Sequence, residues 1–500
     1  MRKALAAISI GLALLVTLVL IRAAFPTSLQ VDPLPVKRSP LDDAAMALRL
    51  GESLRIPTIS HLEESHRDTE AFLSFHALLE SQFPRVHEKL ERETVSELSL
   101  LYRWEGRETT LAPVLLAAHI DVVPIEPGTE ADWDHPAFSG AVTEGAVWGR
   151  GALDDKINVL AQLEAVESLL AEGFQPRRST YLAFGHDEEV GGNRGAAVIA
   201  KQIASRGETL AFVLDEGGAL TPGLVPGIEG NVAIVGVAEK GYVSFDLVAH
   251  GSGGHSSMPP RDQSVVILSH AVSRIDANRP PPRLTDATRS MLETLAPESQ
   301  FGARVLLANL WLFEPLLLGL AAFEPSADAL VRSTTAPTLL SAGVKDNVVP
   351  GTARATVNYR ILPGDSSEGI ARHLEETIQD ERVEIIQRPR FREPSRASNL
   401  EGPAFDLLAS TIRGVFPETV VTPYLVAGGT DARHYRDLSP NVYRFSPIPL
   451  RPGDRERLHG TGERIFVDDY SEAVHFYRAL IPNLDRLPDA ESFSSADSLH

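Results

Sequence analysis

The sequence predicts an α/β fold: a central, mostly parallel sheet, a smaller α+β unit inserted into it, and an N-terminal transmembrane helix. Three observations carry this. Between residues 98 and 214, short apolar runs such as LAPVLLAA alternate with helix-period segments, as strands covered on both faces do. From residue 242 the runs YVSFDLVA and ARATVNYRI alternate instead, which is the pattern of half-exposed antiparallel strands. At the N-terminus, Arg2 and Lys3 precede an uncharged run over residues 4–21.

Taken in order, that run has 18 residues and spans roughly 27 Å as a helix, about the thickness of a bilayer core. Its basic flank predicts an N-terminus in the cytoplasm and the remaining chain across the membrane. An uncleaved signal anchor is preferred to a cleaved signal peptide, because Ala23-Ala24 beside Arg22 is a poor cleavage site. Residues 1–25 are therefore assigned to anchor or signal, with a secreted protein as the alternative. The Pro-rich stretch 26–40 reads as a linker. Helices are expected over 41–54 and over 70–83, where Phe72, Phe75 and Leu79 recur at helical spacing. Strands are expected at 98–104 and 111–118. A helix follows over 155–172, with Leu160, Leu163, Val166 and Leu169 along one stripe and Gly173 as its stop. Strands at 180–185 and 210–214 complete this part.

The inserted unit is expected over 239–365, with the chain returning after Pro363-Gly364-Asp365. The catalytic domain is then 41–238 plus 366–485, and the Ser/Asp-rich tail 486–500 is expected to be disordered. The apolar block 305–323 has three readings: ordinary core, which is preferred, the lining of an acyl-chain pocket, or a membrane contact. No internal repeat is visible.

Composition narrows the function. The chain has 500 residues, enough for two folded units, and a formal charge of −20, which repels nucleic acid. It contains no cysteine, so disulfides and thiolate nucleophiles are excluded and any metal must sit on His, Asp or Glu. No Gly-x-Ser-x-Gly is present either. The acidic and imidazole groups gather where the apolar runs end: His119-Ile120-Asp121, Asp154-Asp155-Lys156, His186-Asp187-Glu188-Glu189 before Gly191-Gly192, and Asp215-Glu216-Gly217-Gly218. Ligands of open α/β sheets collect at the carboxyl ends of strands. Each group alone has an ordinary explanation, as a surface pair, a helix cap or a solvated loop. Four strand ends in series do not. Hard oxygens with imidazole suit zinc, with manganese or cobalt as substitutes.

These segments resemble the zinc metallopeptidase family that contains aminoacylase, carboxypeptidase G and carboxypeptidase S. The similarity is greatest to the subgroup of carboxypeptidase S and the secreted N-fatty-acyl-amino-acid hydrolase/synthase. The matching stretches include LLAAHIDVVP, WGRGALDDK, FGHDEEVGG, VLDEGG, GSGGHSSMPP, DNVVPGTARATVNYRILPGD, GGTDARHY and HGTGERI, spread over about residues 41–485. The resemblance implies a dizinc peptidase domain with an inserted lid and two zinc ions per chain. It implies that His119 and Asp215 hold one ion, Glu189 and His459 the other, and that Asp154 bridges them. Glu188 becomes the general base and Asp121 the partner that orients His119. His255, in the lid, is implied to stabilise the oxyanion, often across a dimer interface, so a homodimer through the lid is the implied assembly. Asn347 is implied to touch substrate. Arg433 is suited to a substrate carboxylate, because guanidinium pairs with carboxylate bidentately, although a structural ion pair is the competing reading. His186, His434 and His475 are left as structural.

The expected reaction is hydrolysis of an amide bond next to a free carboxylate, on a peptide or an N-acyl amino acid. Two other readings compete with it: an aminopeptidase of the related dizinc fold, and a non-catalytic metal-binding receptor. The inserted unit with His255 and Asn347 counts against the first, and Glu188 beside a full ligand set counts against the second.

Overall fold

The structure is a computed structural model that describes residues 2–489. The part of the expected disordered tail from residue 490 onward lies outside the described residues. Among these, the central sheet holds nine strands. Their spatial order is Glu91–Val95, Ser99–Trp104, Thr180–Gly185, Val114–His119, Phe212–Asp215, Val442–Arg444, Val232–Glu239 and Val420–Val426, with Ala219–Leu220 beside Val232–Glu239. The centre is parallel, since Val114–His119 pairs in parallel with both Thr180–Gly185 and Phe212–Asp215. One margin is antiparallel, through Glu91–Val95 and Ser99–Trp104, so the sheet as a whole is mixed.

Every residue of Val114–His119 and Thr180–Gly185 is buried, which is why these runs are apolar without alternation. Each fully buried Leu or Val contributes about 1.5–3 kcal/mol relative to an exposed one. The helix Lys156–Ala171 is buried nearly all round rather than along one stripe, because Asp43–Leu54 and Val467–Leu484 cover its outer side. Its buried polar residues are paired: Gln162 donates to the Ala117 carbonyl at 3.1 Å, and Glu164 meets Arg49 at 2.6 Å. The strand Val232–Glu239 carries no clean sequence signal, as Gly236 interrupts it. A side chain there would press on Val426 at 2.5 Å and Arg444 at 3.0 Å, so the close strand approach requires glycine.

The smaller sheet is antiparallel, in the order Thr334–Ala342, Thr352–Ile361, Gly241–His250 and Val383–Gln387. Its inner face packs on the helices Ser264–Ala277 and Ser367–Ile378 through Val243, Phe245, Ile267, Tyr359 and Leu374. The expected boundary at residue 366 is therefore early. The helix Ser367–Ile378 and the strand Val383–Gln387 still belong to the inserted unit, and the chain returns only after them. The middle of the insertion also departs from expectation. Asp286–Leu295 lies against the sheet-edge strand Val420–Val426, with Leu295 and Met291 clustered on Val232 and Val420.

Two further expectations are corrected. The block 305–323 is not core: it forms the end of Phe301–Leu307 and the helix Leu310–Ala321, in which Leu310 is the one residue buried. Nor is the stretch 26–40 a free linker. Gln30 exchanges two hydrogen bonds with the main chain of Val421 at 2.8 and 3.0 Å, Leu34 donates to the Ser410 carbonyl at 2.9 Å, and Arg38 is bidentate to Glu472. Proline keeps this stretch extended, and the domain surface supplies its hydrogen bonds.

Candidate metal centre

The parallel strands deliver their carboxyl ends to one place. His119 closes its strand with its ring nearly sealed from solvent. Nδ1 lies 3.0 Å from the Asp121 carbonyl and 3.4 Å from Asp121 Oδ1, while Nε2 lies 2.9 Å from Asp154 Oδ1. The other Asp154 oxygen is 3.2 Å from His459 Nε2, which is also 3.2 Å from Glu189 Oε2. One ligand atom each from His119, Asp154 and Glu189 fall within 4.8 Å of one another. Four of the five expected ligands thus converge, and Asp154 touches both histidines.

The loops are held from behind. Asp121 accepts from the Glu188 amide at 3.1 Å with one oxygen and from the Glu189 amide at 3.2 Å with the other. One carboxylate therefore fixes the His119 ring and the Glu188-Glu189 turn together. Glu463, fully buried, accepts from the amides of Gly151, Leu153 and Asp154 at 2.8–3.2 Å and pairs with Arg150 at 2.6 Å. Arg150 in turn donates to the carbonyls of His459 and Gly460 at 3.1 and 2.9 Å. This buried pair ties the Asp154 loop to the His459 loop.

Asp215 closes the neighbouring strand, and its Oδ2 accepts from the Ala432 amide at 2.5 Å; it forms no ion pair with His119 or His459 among the described residues. The carboxylate of the neighbouring Glu216 makes no hydrogen bond or ion pair among the described residues. Burial raises its pKa well above the ordinary value, and the charges adding to this are Asp154, Asp215, Asp155 and Glu188.

Electrostatics point the same way. Burial, opposed by His119, drives the Glu188 carboxyl well above its usual range, with Asp431 and Glu189 adding to the rise. Burial and then Asp154 raise Glu189. His459 is lifted to about 10 by its hydrogen bonds to Asp154 and Glu189. For His119, burial resists ionisation, yet Asp121 and Asp154 overcome it and raise its pKa. Burial is the first cause for both glutamates, and the crowded anions that add to it are also what raises the two histidines. Glu189 Oε1 is buried without a hydrogen-bond partner. A divalent cation on this oxygen-and-imidazole set would remove both defects, so the residues fit a metal.

His255 and Asn347 are together, but away from the centre. The short ladder Gly254–His255 with Val348–Val349 joins their loops, and Ser256 donates to the Asn347 carbonyl at 3.2 Å. Both side chains are exposed, and neither bonds a residue of the cluster. Arg433 lies beside Glu188 electrostatically, but its guanidinium is committed to the carbonyls of Thr430 at 2.5 Å and Gly191 at 2.6 Å. It forms no salt bridge among the described residues. His186, whose Nδ1 is 2.6 Å from Ser99 Oγ, is a buried structural group.

Sequence reasoning missed several residues. Arg150 and Glu463 lie inside matched segments, and only burial reveals their pairing. Asp431 packs so tightly beneath the Glu188 turn that a side chain at Gly192 would collide with its carboxylate. Arg392 sits in no recognisable motif. Its guanidinium lies against Gly429, its Nε has no partner, and it forms no ion pair among the described residues. Burial, then the charge of Arg433, lowers its pKa to about 10.

A mixed α/β sheet with an inserted antiparallel unit, and a His/Asp/Glu cluster at its carboxyl edge, define a metal-dependent amide hydrolase. Residues 115–483 match peptidase family M20/M25/M40. The chain belongs to that family. It is 42% identical to "Probable carboxypeptidase S-like 2" of Dictyostelium discoideum over 89% of this chain and 86% of the relative. It is 39% identical to "N-fatty-acyl-amino acid synthase/hydrolase PM20D1" of Xenopus tropicalis, over 96% and 95%. The fold is shared with an M20 family metallo-carboxypeptidase of Sulfolobus solfataricus, at TM-score 0.65 and 18% identity, covering 89% of this chain and all of that one.

Proposed function

We propose that this enzyme hydrolyses an amide bond adjacent to a free carboxylate, using two zinc ions held by His119, Asp154, Glu189, His459 and Glu216, with Glu188 as general base. The observation that carries this is the double grip of Asp121, whose Oδ1 faces the His119 ring and accepts from the Glu188 amide while its Oδ2 accepts from the Glu189 amide. Bound divalent ions supply Lewis acidity toward the scissile carbonyl and acidify the attacking water. Glu188 takes that water's proton and passes it to the leaving nitrogen. Its main chain is pinned, while its carboxyl makes no hydrogen bond among the described residues, so it is free to move a proton.

Asp215 was the ligand expected from the resemblance, and Glu216 replaces it in this reading. Glu216→Gln should lower bound zinc from two ions per chain to about one, while Asp215→Asn keeps both, because an amide oxygen still accepts from Ala432. The reverse order in metal analysis would restore Asp215.

The substrate carboxylate is read as the partner of Arg392, with Arg433 supplying charge from its fixed seat. A charge-assisted hydrogen bond contributes about 1.5–3 kcal/mol, so Arg392→Met should raise KM by about 10- to 100-fold with much less effect on kcat. An unchanged KM removes Arg392 from the site. His255 and Asn347 are read as reaching the centre of a second copy through a lid-mediated dimer, which their exposure permits. The helix Arg2–Ala24 is read as a membrane anchor that leaves the catalytic domain outside the cytoplasm.

N-acyl amino acids are a second substrate reading, favoured by the relative named for N-fatty-acyl amino acids. A screen of the zinc-loaded full chain on dipeptides and N-acyl amino acids of graded acyl length separates the two. Equal turnover of substrates whose carboxylate is amidated would overturn both.

A further inference from the structure

The bent helix pair Phe301–Leu307 and Leu310–Ala321 exposes apolar side chains that neither the core nor the metal centre explains. The two helices meet at 107°. The second has 12 residues, about 18 Å of helix, which is too short to cross a bilayer core of roughly 30 Å. Their outward side chains are uncovered: Phe301, Trp311 (54% exposed), Leu316, Leu320 and, just beyond, Phe323 (87% exposed). The two charged residues in the pair are both engaged by neighbours: Arg304 donates to the Ser299 carbonyl at 2.7 and 3.0 Å, and Glu314 pairs with Arg289 at 2.8 Å.

Position says what covers it. The pair packs against the N-terminal helix, and the two residues of that helix buried by protein are Val19 and Ala23. Asn309 donates to the Val19 carbonyl at 3.1 Å, and Arg22 donates to the Ala308 carbonyl at 3.2 Å. Val19 lies inside the uncharged run 4–21, and Arg22 just past its end. The contact therefore falls at the depth where an anchor leaves the hydrocarbon. The docked stretch that follows the helix prevents the domain from swinging away: Ser28 bonds Glu298 at 2.6 Å, and Gln30 is locked to Val421. A tryptophan beside such a boundary, with leucines beyond it, is the composition of a segment lying in the membrane interface.

We propose that this helix pair is a second, non-spanning membrane contact. It sinks into the leaflet on the catalytic side next to the anchor and holds the domain in one attitude on the bilayer. The inference rests on Arg2–Ala24 being a bilayer anchor, so its test reads the anchor separately.

The chain has no cysteine, so single labels can be placed at Leu320→Cys in the helix pair, Leu12→Cys in the anchor and Met258→Cys on the exposed lid. Each full-length protein is reconstituted into phosphatidylcholine–phosphatidylglycerol vesicles with or without brominated acyl chains. Bromine should quench the fluorophore at Leu320→Cys as it does at Leu12→Cys, while aqueous iodide quenches only Met258→Cys. If iodide quenches Leu320→Cys while Leu12→Cys stays lipid-quenched, the pair lies in water and the proposal fails with the anchor intact. If neither is lipid-quenched, the anchor reading fails and takes the proposal with it. If Leu320→Cys is shielded from both quenchers, a second copy or another protein covers the face, and the bilayer contact is overturned.

Discussion

Glu188→Gln should lower kcat by about 10²–10⁴-fold, the range lost with a general base, while leaving metal content, KM and the melting temperature close to those of the parent. The structural basis is specific. The Glu188 main chain is held by Asp121 Oδ1 at 3.1 Å, whichever side chain follows. The carboxyl carries no bond among the described residues that folding would miss. Its pKa is raised by burial, a cost that Gln does not incur. The experiment is steady-state kinetics with metal analysis on the same preparation. Turnover within a few-fold of the parent would remove Glu188 as the base, and loss of metal alongside activity would make it a ligand instead.

Asp154→Ala should be at least as damaging, for a different reason. Its two oxygens lie 2.9 Å from His119 and 3.2 Å from His459, so among the described residues it is the one carboxylate in contact with both histidines. Removing it should depress bound metal at both positions and lower kcat/KM by about 10³-fold or more, since metal-centred charge stabilisation contributes several kcal/mol. Calorimetry supplies an independent readout. Zinc added to the metal-free parent should raise its melting temperature by mass action, and Asp154→Ala should abolish most of that rise. A variant that still binds two ions with the parent's thermal shift would show that the bridge lies elsewhere.

Most of the architecture was legible in the chain. Runs such as VLLAAH and TYLAFG are apolar throughout because both faces of the parallel centre are covered, and the structure begins and ends them within a few residues of expectation. The strands Val232–Glu239, Val420–Val426 and Val442–Arg444 were missed because a glycine, a proline and short length blur their patterns. Of the candidate site, His119, Asp154, Glu189 and His459 come together as the motifs suggested. Arg150 and Glu463 escaped notice because no spacing rule announces a buried ion pair across 313 positions.

The donor types, their order along the chain and their placement after buried strands follow from sequence alone, because apolar runs and strand-end loops are local properties. What tertiary structure decided is which side of a strand end each group faces. Asp215 and Glu216 are adjacent, and neighbouring residues on extended chain point to opposite faces. Only packing against Ala432 shows that Asp215 turns one oxygen to the main chain, while the Glu216 carboxyl is left without a hydrogen bond among the described residues. The same holds for the apolar helix pair. Its hydrophobicity is written in the residues, but whether protein or lipid covers it depends on what the rest of the fold leaves uncovered.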